Sequence, residues 1–118
     1  MIAASFMIAA SPSSAAFAHP ELQSAEPAAG TATATSPRQI MITFNETVIP
    51  QFSGAEVKDH AGKAMATGNA TVDPANKKAL LVPVNEQLPP GDYTVEWHAV
   101  SGDTHRVKGS YSFSVGPR

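Results

Sequence analysis

Three residues of this chain can be drawn toward a single metal ion: His19, Asp103 and His105. Asp103-Thr104-His105 sets a carboxylate and an imidazole two residues apart, and in an extended segment such side chains project to the same side. His19 follows Ala16-Phe17-Ala18, the small residues of an A-x-A cleavage site. Cleavage there makes His19 the first residue, with its free α-amine and imidazole able to chelate one ion in a single ring. With Asp103 and His105 the set is three nitrogens and one oxygen. A tetragonal N/O set of this kind suits Cu(II), which the Irving–Williams order favours over Zn(II).

Other chemistries are excluded or unsupported. The chain has no cysteine, so disulfides, thiolate zinc sites, iron–sulfur clusters and cysteine nucleophiles are ruled out. It carries no nucleotide loop, G-x-S-x-G elbow, H-E-x-x-H helix or EF-hand loop. Lys+Arg number 8 and Asp+Glu 10, for a net charge of −2, so there is no basic excess for nucleic-acid binding. With 42% hydrophobic and 15% charged residues, the chain is not a disordered tail.

Residues 1–18 carry no charge. Their apolar run MIAASFMIAA has the length of a signal-sequence core and is broken by Ser11-Pro12-Ser13-Ser14, too short for the roughly 20 apolar residues of a membrane span. No Lys or Arg precedes Arg38, so the basic start of a standard leader is missing. The expected organisation is a cleaved signal peptide, residues 1–18, and one small domain, residues 19–118, with a single core.

The domain must hold the ligands on short strands joined by turns, since 10 prolines and 8 glycines oppose long helices. A half-buried strand over 38–44 places Ile40, Ile42 and Phe44 on one face, and one over 93–100 places Tyr93, Val95, Trp97 and Ala99 on one face. Residues 109–115 alternate Tyr111, Phe113 and Val115 against Ser110, Ser112 and Ser114. Shorter strands are expected at 22–25, 52–58, 69–72 and 79–84, with loops or turns at 28–37, 59–63, 73–77, 88–92 and 101–106. These are seven strands at the spacing of a Greek-key β-barrel or sandwich.

Several stretches resemble the CopC family of copper-binding proteins: His19-Pro20-Glu21-Leu22, Ile42-Thr43-Phe44-Asn45-Glu46, residues 88–97 (LPPGDYTVEW) and residues 99–105 (AVSGDTH), together with Gly109-Ser110-Tyr111-Ser112-Phe113. The resemblance implies an all-β, immunoglobulin-like Greek-key fold and a periplasmic, non-enzymatic protein of copper resistance, homeostasis or uptake. It implies one Cu(II) per mature chain held by His19, Asp103 and His105. It also implies handover to a membrane copper-transport protein. Glu46, where the family commonly has F-S-E, is a weak or outer-sphere ligand candidate. His98 stands where the family often has arginine, and His60 lies in a Gly-containing turn; both are read as surface residues. The family's methionine-rich Cu(I) loop is not matched: the four methionines are Met1, Met7, Met41 and Met65. Two alternatives stay open. One is a metal-free immunoglobulin-like interaction module; the other is a copper-dependent oxidative enzyme, which an anionic ligand such as Asp103 disfavours by preferring Cu(II) to Cu(I).

Overall fold

The computed structural model describes residues 20–116, so the expected signal peptide and His19 lie outside the described residues. Eight strands form within them: β1 (Leu22–Glu26), β2 (Ala32–Thr33), β3 (Gln39–Phe44), β4 (Gly54–Asp59), β5 (Thr71–Asp73), β6 (Asn76–Pro83), β7 (Gly91–Val100) and β8 (Arg106–Val115). They make two four-stranded sheets, β1-β3-β6-β5 and β2-β8-β7-β4. All pairings are antiparallel except β2 with β8. Setting β2 aside, this is the ABED and CFG pairing of the immunoglobulin sandwich. The seven-strand expectation fails only at β2, a two-residue parallel pairing inside the stretch read as a loop. Its residues, Ala32 and Thr33, show no strand periodicity, and only the neighbouring edge of β8 recruits them.

The alternation predicted the part of the core carried by β3, β7 and β8. Ile40, Ile42 and Phe44 face Leu80 and Val82 within one sheet, while Val57, Val95, Ala99, Phe113 and Val115 line the other, all at most 3% exposed. Burying an aliphatic or aromatic side chain of this size contributes about 1.5–3 kcal/mol. Trp97 meets Phe44 edge-on at 5.2 Å between ring centroids. It also lies across Gly109 on β8, where a Cβ would sit 2.6 Å from Trp97 Cζ2. Glycine is required there for the indole to lie flat against the neighbouring strand. Tyr93, at the start of β7, donates its hydroxyl to the Pro89 carbonyl at 2.5 Å. That back-bond from the first turn of the F-equivalent strand is the immunoglobulin tyrosine corner. The position two residues on, a cysteine in antibody domains, is the buried Val95, so apolar packing stands in for the disulfide.

Boundaries shift where local chemistry overrides periodicity. Pro50 has no N–H to give a ladder and opens a 3-10 turn, Pro50–Phe52, which delays β4 to Gly54. β6 begins at Asn76 and β8 at Arg106, each three residues earlier than the alternation suggested. No helix among the described residues is long and apolar enough to cross a membrane.

Candidate metal centre

β7 hands over to β8 through residues 101–105. The Ser101 N–H donates to the His105 carbonyl at 2.9 Å, and the Thr104 N–H donates to the Ser101 carbonyl at 2.8 Å. Gly102, Asp103 and Thr104 thus form a three-residue hairpin loop, a class that commonly ends in a left-handed residue. Thr104 occupies that position at φ 70°. A β-branched residue there is costly, on the order of 1–3 kcal/mol. The segment is therefore a turn. Asp103 and His105 converge because the hairpin folds back, not through the extended geometry that suggested the pair.

The pair is in direct contact. His105 Nδ1 lies 3.1 Å from Asp103 Oδ2, and the two side chains are 49% and 50% exposed. Ser101, fully buried, donates its hydroxyl to Asp103 Oδ1, and the His105 N–H makes a long 3.4 Å contact to the same oxygen. The Ser101 hydroxyl, followed by the imidazole and N–H of His105, holds the Asp103 carboxyl below the usual carboxylate range. A carboxylate offers about four lone-pair sites, and these contacts use three. One remains for an ion. With Nδ1 facing Asp103, the His105 ring keeps Nε2 free of hydrogen bonds among the described residues. The 3.1 Å contact already sets the carboxylate beside the ring, and both groups can reach one ion once the hydrogen bond between them gives way.

The loop is braced from below. Ser101 forms an isolated bridge with Val48. The Ile49 N–H donates to the Val100 carbonyl at 2.8 Å. The Ser53 hydroxyl donates to the Ile49 carbonyl at 2.7 Å and accepts from the Val100 N–H at 3.0 Å. Neither Ser101 nor Ser53 was expected to have a role. Ser101 could have been suspected from a hydroxyl two residues before an aspartate in a turn, whereas Ser53 has no local signal.

The other candidates separate by position. Glu46 is half-buried and lies just after β3, two residues before the Val48 bridge to Ser101; this is the same end of the sandwich as the pair. His98 is exposed on β7, opposite Gly54 and Lys108, three rungs of the β7–β8 hairpin before the Ser101–His105 closure. His60 is exposed after Asp59, which pairs with Tyr93, about 25 Å along β7 from the pair. Met41 lies on β3 and Met65 beside β4, in different sheets, and so do not cluster. No three histidine or acidic residues among the described residues form a metal site by themselves. Asp103 and His105 supply an imidazole and a carboxylate, a donor set that fits copper but is only part of a coordination sphere.

An immunoglobulin-like sandwich with a half-exposed Asp–His pair where its F strand turns into its G strand narrows the class to a small β domain that presents a carboxylate and an imidazole together at one end. Residues 22–116 match the CopC domain model, and the chain belongs to the CopC family. It is 41% identical over 106 residues to Copper resistance protein C of Escherichia coli, covering 85% of this chain and 83% of that protein. The structure superposes with a TM-score of 0.75 on PcoC, a methionine-rich copper resistance protein from Escherichia coli, at 38% identity, covering 83% of this chain and 99% of that one. It is also 32% identical over 100 residues to Copper transport protein CutJ of Bacillus subtilis (strain 168), covering 85% of this chain but 18% of CutJ.

Proposed function

We propose that this chain is a periplasmic copper carrier that binds one Cu(II) through the amine and imidazole of His19, the carboxylate of Asp103 and the imidazole of His105. Glu46 serves as a weak or outer-sphere partner. The observation that carries this reading is the Asp103–His105 pair, fixed from below by buried Ser101 and half-exposed above, in a chain of the CopC family. The ligands stand at a terminus and in a loop, outside the alternating core faces. An acceptor can therefore take the ion without opening the sandwich. The anionic oxygen and nitrogen donors favour Cu(II), which suits storage and handover and opposes redox turnover.

The stretch of CutJ that matches this chain is 18% of that protein. This supports a partnership in which the carrier docks on a separate copper-transport protein of the membrane. The reading requires residues 1–18 to be removed. Its test is the mass of the exported protein with and without Cu(II). The expected result is a chain beginning at His19 that gains one copper. A protein with one extra residue before His19 should lose affinity at least as much as the roughly 10–100-fold seen for changes around a metal's ligands, because its amine has become an amide. Unchanged affinity in that protein, or a mature chain starting elsewhere, overturns the terminal-ligand reading.

A further inference from the structure

The N-terminal segment is gripped at one place. The Glu21 N–H donates to Asn45 Oδ1 at 2.8 Å, and the Asn45 N–H donates to the Glu21 carbonyl at 3.0 Å. Both backbone groups of Glu21 are thus taken by one residue 24 positions away. The β1–β3 ladder runs to Leu22 opposite Phe44, and the next rung is this one, closed on one side by a side chain in place of a carbonyl. That substitution leaves the Asn45 carbonyl out of the rung. The backbone is then able to turn away through Glu46 and Thr47 to Val48, which bridges Ser101 beneath the Asp103–His105 loop. Asn45 is therefore the junction between the incoming N-terminal segment and the strand-to-loop path that supports the pair.

Pro20, the next residue toward the terminus, is buried. Its ring fixes its own φ and so stiffens the approach to Glu21. Whatever precedes Pro20 is tied by one peptide, about 3.8 Å between Cα atoms, to a point that Asn45 holds.

Resting on the carrier reading above, we propose that Asn45 is a positioning residue: its side-chain amide fixes Glu21 so that the terminal ligand arrives pre-oriented at the Asp103–His105 loop. Preorganisation of this kind lowers the ordering cost of binding. Removing it should weaken the metal without touching a ligand.

The experiment uses the mature chain from His19 with Asn45→Ala, Asn45→Ser and, for separation, His105→Ala. Three readouts are taken: Cu(II) affinity by chelator competition, the Cu(II) electron paramagnetic resonance spectrum, and exchange of the Glu21 amide in the metal-free protein. Asn45→Ala is expected to unprotect the Glu21 amide and cost about tenfold in affinity, the lower range for residues that support metal ligands. Its spectrum should move toward that of protein extended before His19. Asn45→Ser, which keeps an acceptor oxygen, should recover most of both, and it also reports if the alanine variant fails to fold. Affinity and spectrum unchanged in either variant, with the Glu21 amide unprotected, overturn the positioning role. If His105→Ala also leaves affinity unchanged, the carrier site itself is wrong; if only His105→Ala weakens binding, the site stands and Asn45 does not serve it.

Discussion

At one end of β7 the chain turns on prolines and buried hydrophobic groups; at the other it turns on polar ones. The Pro89–Pro90 turn follows Leu88, which is 2% exposed, and is locked by the Tyr93 hydroxyl on the Pro89 carbonyl. Pro90 packs so closely on Gly116 that a Cβ there would lie 2.6 Å from its own. The 101–105 turn has one buried residue, Ser101, and above it a carboxylate and an imidazole held by each other and half-exposed. It also places a threonine in the left-handed region. The first turn fixes the fold and the second presents groups that can change partners. This disulfide-free domain places its apolar anchor and its polar pair at opposite ends of one strand, so a change at one need not loosen the other.

The sharpest break of this contrast is Tyr93→Ala. It removes a ring stacked on Phe113 at 5.7 Å and the corner hydrogen bond, and should cost about 3–5 kcal/mol in stability. Urea unfolding measures it, and Cu(II) affinity of the folded protein should be unchanged. A parallel loss of copper affinity would mean that the two ends are coupled.

His105→Ala is the converse. Affinity for Cu(II) should fall by at least the roughly 10–100-fold expected of a lost support, let alone a lost ligand. The melt should stay within about 0.5 kcal/mol, as for other exposed substitutions. In the unsubstituted protein, affinity should also fall as pH falls, because nitrogen ligands must shed their protons to bind. Asp103 does not set that dependence in the mildly acidic range, since its carboxyl is held below the usual range. Affinity that stayed flat from pH 8 to pH 5 would remove the nitrogen ligands from the site.

Ser101→Ala sharpens the comparison from beneath the loop. Loss of the hydroxyl should cost about 1 kcal/mol. The Asp103 carboxyl should titrate higher, because the Ser101 hydrogen bond is the largest influence holding it down. The sign follows from linkage: a carboxyl lowered on folding adds stability above its unfolded pKa and loses it as pH falls through the folded one. The variant's metal-free form should therefore lose less stability on acidification than the parent. An NMR titration of Asp103 reads the first effect, and melts across the acid range read the second.

The smallest expected change is Thr104→Gly. Relief of the left-handed strain, partly offset by glycine's greater chain entropy, should raise stability by up to about 1 kcal/mol. A lower melt would show that the threonine side chain contributes more than its conformation costs.

Much of the core was legible because a strand's side chains alternate and one face must be apolar; Ile40, Ile42, Phe44, Tyr93, Val95 and Trp97 fell where period two put them. The 88–92 turn was legible from its prolines and glycine. The Asp103–His105 pair was legible as residue types at a spacing, although the conformation that joins them was not. A left-handed threonine has no composition signal, and its stability depends on the hairpin closing around it.

Residue identity alone therefore determined the alternating faces, the turn chemistry and the types of donor available, since each depends on neighbours a few positions apart. Tertiary structure decided the rest. It set β2 against β8, Ser53 between Ile49 and Val100, Ser101 under Asp103, and Asn45 against Glu21. Three of these join residues from 24 to more than 80 positions apart, and the two short-range ones, Ser53 with Ile49 and Ser101 with Asp103, exist only because the chain turns back on itself there. Polar partners at such distances are chosen by which strand ends the packed sandwich brings together. A hydroxyl or amide that will find its partner there looks, along the chain, like any other surface serine or asparagine.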